Sequence, residues 1–244
     1  MSEGESSGAS VWHQGRLLLG VSPGEPFNAC ERVVDRNCAR DPEATAAIHR
    51  NHHGDRRVFT FEDLRRAVSR FASALDALGV KPGDRVFTLL EPMPELFWSI
   101  LGAIRTGAIA GPLFAAFGSE AIRDRLGDSG ARVLITHGRH LLKVRAAIEG
   151  LPGLKQVLVV DPPADGLRGI ERDLAALLAD ASDERPPHPT SEQDPMLLHY
   201  SSGTTGKPKG VLHVHEALVG HAATARAVLD LRREDSYWCT ADPG

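Results

Sequence analysis

The sequence has few cysteines and no long apolar run, and these two shortages exclude several classes of protein. Its three cysteines, Cys30, Cys38 and Cys239, are an odd number and lie far apart. That spacing fits neither the disulfide framework of a small secreted protein nor a zinc site, so we expect buried thiols in a reducing compartment. The longest segment without charge, residues 106–119, has 14 residues and includes three glycines and a proline. It is too short and too interrupted to span a bilayer.

An excess of positive charge is also missing, which argues against a partner such as duplex nucleic acid. The 28 Lys and Arg residues are outnumbered by 32 Asp and Glu residues, for a net charge of −4. Residues 1–5 are acidic and polar, unlike a signal peptide. Hydrophobic residues make up 42% of the 244 residues, enough for a globular core of one or two domains. We therefore expect a cytoplasmic protein with no nucleic acid or membrane partner.

Short, continuously apolar runs alternate with amphipathic segments along the chain. Thr60 and Asp63 have the spacing of a capping box, and the apolar residues after them recur every three or four positions. The runs predict strands at residues 85–90, 109–113, 132–136, 156–160, 196–200, 211–214 and 237–240. The segments between predict helices at residues 64–78, 94–104, 119–128, 140–149, 170–180 and 216–231. Continuously apolar strands joined by helices predict an α/β fold with mostly parallel sheets covered by helices.

The ends of this pattern are less regular. Residues 1–25 are rich in Gly, Ser and Glu, and we expect a loose arm docked by Trp12 and by residues 17–19. His52 and His53, beside a glycine, predict the exposed tip of a hairpin.

One loop carries the residue types that bind a polyphosphate. Residues 200–210 read Tyr-Ser-Ser-Gly-Thr-Thr-Gly-Lys-Pro-Lys-Gly between two predicted strands. Glycines allow backbone N–H groups to approach an anion, hydroxyls add donors, and lysines add positive charge. The spacing does not fit a Walker A loop, and no Gly-x-Gly-x-x-Gly fingerprint is present here. An ordinary solvated surface loop of the same composition is the alternative.

Residues 198–210 resemble the phosphate-binding signature of the acyl-adenylate-forming superfamily, the AMP-binding synthetases and ligases. Residues 212–217 and 235–244 are similar to the acetyl-CoA synthetase branch, as are residues 102–104, 107–108 and 111–114. The resemblance runs from about Asn28 to the last residue. It implies an N-terminal arm at residues 1–27 and a partial AMP-binding, or adenylation, domain at residues 28–244 that is truncated at its C-terminal end.

The resemblance implies a two-step reaction in which a carboxylate is activated by ATP and then transferred to coenzyme A. ATP, Mg²⁺ and CoA would be required, acetate is the favoured acid, and the oligomeric state is left open. The residues that match the family's ATP phosphate contacts are Ser201, Ser202, Gly203, Thr204, Thr205, Gly206, Lys207 and Lys209. Among them Lys209 would neutralise phosphate charge, whereas Lys207 could face solvent at the loop tip.

The family's other functional motifs are not found in this sequence. These are the adenine-binding motif, the ribose-binding Asp, the hinge, and the small C-terminal domain with its catalytic Lys. We assign no complete catalytic set and no metal ligands, and we expect a fragment of a longer chain that is inactive alone. The alternatives are a naturally short product, a phosphate-binding remnant without catalysis, and a ligase for propionate, fatty or aromatic acids.

Four further residues carry weaker expectations. Asp242 follows the last predicted strand and is either a wall of the acyl site or part of an Asp-Pro-Gly turn. Arg125 is either a contact for the CoA nucleotide or one of several solvated arginines. His213 and His215 could suggest a metal site, but the missing third and fourth ligands favour hydrogen bonds near the phosphate loop.

Overall fold

A computed structural model describes residues 6–51, 53–201 and 207–244 of the protein, with side chains from residue 11 onward. The strands are β1 (Thr45–Arg50), β2 (Arg56–Thr60), β3 (Arg85–Leu89), β4 (Ile109–Pro112), β5 (Val133–His137), β6 (Gln156–Val160), β7 (Glu171–Asp173), β8 (Pro195–Ser201) and β9 (Lys209–Val214). The α-helices are α1 (Ser6–Leu19), α2 (Arg36–Arg40), α3 (Phe61–Ala77), α4 (Pro94–Arg105), α5 (Ser119–Ser129), α6 (Leu141–Ile148), α7 (Leu174–Ala179) and α8 (Ala217–Leu229). A π-helical turn, Glu31–Asp35, precedes α2, and a 3₁₀ turn, Gly138–His140, precedes α6.

Seven strands form one sheet in the order β7-β6-β5-β3-β4-β8-β9, and β1 and β2 form a separate antiparallel hairpin. Strands β3 to β8 run parallel to one another, and β9 runs antiparallel to its neighbour β8. The predicted α/β class and mostly parallel sheet are therefore confirmed. From β4 the chain returns across β3 to β5, whereas β8 leads outward to β9. The connections of these two neighbouring strands diverge, which in open α/β sheets creates a crevice at the carboxyl ends of the strands.

Two apolar clusters cover the two faces of the sheet. On one face the buried side chains include Val68, Phe71 and Leu75 of α3. This helix begins with the predicted capping box, in which Thr60 Oγ1 accepts from the Asp63 N–H and Asp63 in turn accepts from the Thr60 N–H. On the other face Ile122 and Leu126 of α5 are buried against the strands. Burial on both sides explains why the strands are continuously apolar.

The predicted helix at residues 170–180 is wrong in its first part. Glu171–Asp173 form the edge strand β7 beside β6, and α7 starts only at Leu174. Glu171 is buried there, and both of its carboxylate oxygens accept from Arg145 at 2.8 Å. Asp173 then caps α7, since its Oδ1 accepts from the Ala175 N–H at 2.9 Å. The helical pattern could not show that these three residues pair with β6.

The predicted strand at residues 237–240 is also wrong. The segment has no regular secondary structure, and the side chains of Tyr237 and Trp238 are 62% and 85% exposed. An apolar run forms a strand only where a neighbouring strand offers hydrogen bonds, and no described strand pairs with this one.

The expected arm is helical and not loose, and it packs on α8, where the ring of Trp12 lies against Gly220 as the docking prediction required. The backbone of Gly15 in α1 lies against Val219 of α8, so closely that a Cβ at residue 15 would meet the Val219 carbonyl oxygen. Arg16 forms ion pairs with Glu192 and Glu216, which join this helix to the segment before β8 and to the start of α8. Helix α1 is thus bound to α8 and to the segment that precedes β8.

The expectations for the hairpin and the cysteines are confirmed in part. Asn51 Oδ1 accepts from the N–H groups of His53 and Asp55, which closes the β1–β2 turn. His52, the other half of the predicted tip, lies outside the described residues. Two of the three free cysteines are buried, but the third, Cys239, is exposed. Among the described residues there is no helix with the length and apolar character needed to cross a membrane.

Candidate functional site

The structure describes both ends of the predicted phosphate loop. Residues Ser202, Gly203, Thr204, Thr205 and Gly206 lie outside the described part of the chain. Ser201, the last residue of β8, is paired with Lys209, the first residue of β9, and its Oγ donates to the Lys209 carbonyl at 3.4 Å. Lys207 and Lys209 are both exposed. The loop is therefore the connection of an antiparallel hairpin, and its two lysines face solvent.

The hairpin places this loop at the carboxyl end of β8, where the connections of β4 and β8 diverge. β4 and β8 are adjacent through Ala110 and Leu197, so the residues after β4 lie beside the root of the loop. Phosphate-binding loops of α/β proteins commonly lie at such a point, because the diverging connections leave a crevice open to solvent. The position of the loop ends supports the predicted contact with ATP phosphates, which itself stays a prediction.

The last residues of the chain lie beside the same crevice. Gly244 packs on the backbone of Leu113 and Phe114, and a Cβ at residue 244 would lie 2.2 Å from the Leu113 carbonyl carbon. His199 Nε2, on β8, lies 2.9 Å from the carbonyl oxygen of Pro243. Asp242 Oδ1 accepts from the Gly244 N–H at 2.9 Å, as an Asp-Pro-Gly turn requires. Asp242 is thus in a turn at the crevice, and its contact with an acyl group stays a prediction.

Tyr200 connects the root of the loop to helix α5. Its hydroxyl lies 2.6 Å from Asp128 Oδ2, and the Arg125 guanidinium lies 5.8 Å from its ring centre and 4.2 Å from that of Phe117. Burial, and secondarily the hydrogen bond to Asp128, raise the pKa of Tyr200, so the phenol stays protonated. The alternative of a solvated Arg125 is wrong, because the residue is only 9% exposed. Its contact with the CoA nucleotide stays a prediction.

The two histidines after the loop do not lie where we expected. Because β9 is antiparallel to β8, the last residue of β9 lies at the opposite end of the strand pair from Ser201. His215 follows it, is fully buried, and accepts from the Ala29 N–H through Nδ1 at 3.0 Å. Burial lowers the pKa of His215 to about 4, with Asp194 opposing the shift. His213 packs edge-on against His199, with 5.5 Å between ring centres.

Sequence reasoning missed a group of charged residues at the carboxyl ends of β3, β5 and β6. His140 Nε2 is 2.9 Å from Glu91 Oε1, and His137 Nε2 is 3.3 Å from Asp161 Oδ2. Asp161 has φ of +48°, a left-handed backbone conformation that residues other than glycine seldom adopt. Burial lowers the pKa of His140, while Glu91 opposes that shift. The sequence did show a polar residue at or after the end of each of these parallel strands. Only the order of the strands in the sheet brings these residues together at the carboxyl ends.

A metal centre does not emerge from these groups. Within the ranges that the structure describes, no three or more His, Cys, Asp or Glu side chains lie close enough together to hold a metal ion. The site contains a loop whose sequence has hydroxyl residues, glycines and lysines, and the loop starts and ends at a crevice. Charged residues lie at the carboxyl ends of the neighbouring parallel strands. This combination can bind a polyanion and neutralise its charge.

Comparison with known proteins finds relatives in sequence and in fold. Residues 34–244 match the sequence model of the family described as AMP-binding enzymes. Over 220 residues, 41% are identical to the acetyl-coenzyme A synthetase of Bacillus subtilis, a match that covers 89% of this chain and 38% of that protein. Over 235 residues, 37% are identical to acetyl-coenzyme A synthetase 2 of Pseudomonas putida, covering 91% of this chain and 36% of that protein.

Two solved structures are similar in fold. The acyl-CoA synthetase of Brucella canis superimposes with a TM-score of 0.85 at 34% identity, over 95% of this chain and 41% of that one. An anthranilate CoA ligase in complex with anthranoyl-AMP superimposes with a TM-score of 0.72 at 26% identity, over 82% of this chain and 36% of that one. The chain thus spans well under half the length of the relatives it matches.

Proposed function

Because this chain belongs to the family of AMP-binding enzymes, we propose that it supplies the ATP phosphate-binding part of an AMP-forming acyl-CoA ligase. Acetate, or another short-chain carboxylate, is the acid that the ligase activates. The observation that carries the proposal is the loop between Ser201 and Lys209, which leaves the carboxyl end of β8 at the crevice beside β4. The 41% identity to an acetyl-coenzyme A synthetase supports the choice of acetate.

The reaction requires negative charge to be neutralised at its first step. A carboxylate oxygen attacks the α-phosphorus of ATP, the bond to the β-phosphate oxygen breaks, and pyrophosphate leaves. The CoA thiol then attacks the acyl carbon, loses its proton, and displaces AMP. In phosphoryl and nucleotidyl transfer, positioning and electrostatic stabilisation supply most of the catalysis. In this chain Ser201, Lys207, Lys209 and residues 202–206 would bind the phosphates, and Lys209 would balance the charge of the leaving pyrophosphate.

The reaction also requires Mg²⁺ and CoA. Mg²⁺ would accompany ATP and supply positive charge that helps to neutralise the phosphates. CoA is the second substrate, with Arg125 as a proposed contact, and Asp242 is a proposed wall of the acyl site. We propose residues 28–244 as a partial AMP-binding domain, with residues 1–27 as its N-terminal arm, in a cytoplasmic protein. We assign no residue of this chain a catalytic role, and its part is to bind and to neutralise charge.

Two alternatives make different predictions. A phosphate-binding remnant would bind MgATP without catalysis, and a ligase for another acid would prefer propionate, a fatty acid or an aromatic acid. The anthranilate CoA ligase shows that an aromatic acid is compatible with the fold, but its 26% identity is lower than that of the acetyl-coenzyme A synthetases. Acetate therefore remains the favoured acid.

Titration calorimetry with MgATP, combined with acetate-dependent exchange of pyrophosphate into ATP, tests the proposal. Binding together with exchange supports adenylate formation by this chain itself. Binding without exchange fits both the ATP-binding part of a longer ligase and the phosphate-binding remnant, and exchange by a longer chain that contains residues 28–244 would then separate the two. No heat and no thermal shift with MgATP would contradict both. If exchange is seen, replacing acetate with propionate, hexanoate or benzoate identifies the preferred acid.

Variants of single lysines then test the loop. Lys209→Ala should weaken MgATP binding about tenfold, because one charge-assisted phosphate contact contributes on the order of 1.4 kcal/mol. Lys207→Ala should have a smaller effect if that side chain faces solvent. Lys81→Ala, which removes the same charge from an exposed turn outside the loop, is the matched control. An affinity that is equally insensitive to all three changes would show that the loop does not bind ATP.

A further inference from the structure

Tyr200 is the last residue but one of β8, and its side chain is confined on several sides. Across the strand pair it faces Gly210 of β9, where a Cβ would lie 3.6 Å from Tyr200 Cε1. The tyrosine ring therefore lies beside the β9 backbone, at ordinary van der Waals distance from the position of a Cβ on Gly210. The ring of Phe87, on β3, lies 6.5 Å away, centre to centre. The ring thus joins the loop hairpin to the middle of the sheet.

Helix α5 holds the other end of the same side chain. Asp128 lies in the last turn of this helix, where a negative charge is disfavoured by the helix dipole. Its Oδ2 accepts from the Tyr200 hydroxyl at 2.6 Å, a short distance typical of a hydrogen bond to a charged acceptor. The helix dipole gives no reason for an acidic residue at this position. The hydrogen bond to Tyr200 does give one.

Arg125 lies one turn earlier on the same face of α5. Its Nη1 donates to the Ala121 carbonyl at 2.9 Å, which fixes the guanidinium over the Phe117 ring and beside Tyr200. The guanidinium therefore packs against the ring of Tyr200, while Asp128 binds its hydroxyl. Two residues of one helix restrain the ring and the hydroxyl separately.

We propose that Asp128 and Arg125 are positioning residues for the phosphate loop and act through Tyr200. They restrain the side chain of Tyr200, and through it the paired strand ends at Ser201 and Lys209, where the loop begins and ends. The inference rests on the function proposed above, since it assumes that this loop binds the ATP phosphates. Neither residue touches the reacting atoms in this role. Their contribution is to hold the strand ends at Ser201 and Lys209 in one arrangement before a triphosphate binds, so that this ordering does not have to be supplied by binding.

The test compares Tyr200→Phe, Asp128→Ala, Asp128→Asn and the double variant Tyr200→Phe/Asp128→Ala. Calorimetry with MgATP should show about three- to tenfold weaker binding for the first two, the range expected for the loss of one hydrogen bond. The double variant should bind no more weakly than either single variant, because both remove the same bond. Asp128→Asn should keep affinity within about twofold, since the amide oxygen still accepts from the phenol.

Hydrogen exchange of the free protein provides a readout that needs no ligand. Amide protons of residues 200–201 and 209–210 should exchange faster in Tyr200→Phe and Asp128→Ala than in the parent. Those of residues 197 and 213, at the other end of the same strand pair, should not change. Glu120→Ala, which removes a carboxylate from the first turn of α5, is the matched control for the charge of Asp128.

The outcomes separate this inference from the proposed function. Parent-like exchange and affinity in both single variants, or losses that add up in the double variant, would overturn the positioning role. Faster exchange along all of β8 and β9 with a lower melting temperature would show a merely structural role and also overturn it. If the parent binds no MgATP, the proposed function fails. In that case the exchange data alone decide whether α5 restrains the root of the loop.

Discussion

Acidification from about pH 7.5 to pH 5 should destabilise the protein through the buried His215. Burial lowers the pKa of this histidine to about 4, whereas an unfolded histidine has a pKa of about 6.5. The unfolded chain therefore binds the proton more readily than the folded one. The contribution of neutral His215 to stability is complete above the unfolded pKa and is lost as the pH falls from about 6.5 towards 4.

The size of the effect follows from these two values. At pH 5 about 97% of unfolded His215 and about 10% of folded His215 would be protonated. The difference corresponds to a loss of about 2 kcal/mol in the free energy of unfolding between pH 7.5 and pH 5. Protonation of Nδ1 would also remove the acceptor for the Ala29 N–H, which lies 3.0 Å away. Asp194 opposes the low pKa only in part, because burial is the larger cause.

Urea unfolding followed by tryptophan fluorescence at both pH values measures this contribution. Because the protein has 11 histidines, the effect of His215 is isolated with His215→Asn, whose side-chain oxygen can still accept from Ala29. This variant should be less stable at pH 7.5, but its loss on acidification should be about 2 kcal/mol smaller than that of the parent. His221→Asn, at an exposed position on α8, is the control and should keep the pH dependence of the parent. Equal pH dependence in the parent and His215→Asn would refute the reasoning.

Two further predictions concern the exposure of the cysteines and the space around Gly111 of β4 and Gly127 of α5. Burial raises the pKa of Cys30 to about 12 and that of Cys38 to about 11, while Cys239 is exposed, so a thiol reagent should label one cysteine per native chain. Two or more fast-reacting thiols, counted with and without denaturant, would contradict this burial. Gly111→Ala should destabilise the protein by about 1–3 kcal/mol, because the new Cβ would lie 2.4 Å from Phe87 Cε1. Gly127→Ala, in α5 with its nearest neighbour at 3.4 Å, should instead stabilise by up to about 1 kcal/mol, and equal thermal shifts for the two would exclude overpacking as the cause.

Local patterns in the sequence predicted most of the regular structure. The capping box of Thr60 and Asp63 and the apolar runs of the parallel strands need only neighbouring residues to be recognised. Both are confirmed, and the runs also implied the burial of both sheet faces. The phosphate-loop signature is likewise contiguous, so the family could be identified before any tertiary contact was considered.

Predictions that depended on a distant partner were wrong. Residues 237–240 are apolar, but no described neighbouring strand pairs with them. Glu171 is extended because β7 pairs with β6, and its side chain binds Arg145, 26 residues earlier in the chain. His215 lies away from the loop because β9 is antiparallel to β8. The apolar residues of β9 do not specify the direction in which the strand runs.

The sequence by itself therefore determined the family, the α/β class and the chemical character of the phosphate loop. Only the tertiary structure decided which residues surround that loop. Tyr200 and Asp128 are 72 residues apart and meet because β8 inserts beside β4, next to the helix that follows β4. The order of strands in a sheet depends on the packing and connections of the whole chain, and no local run of residues encodes it.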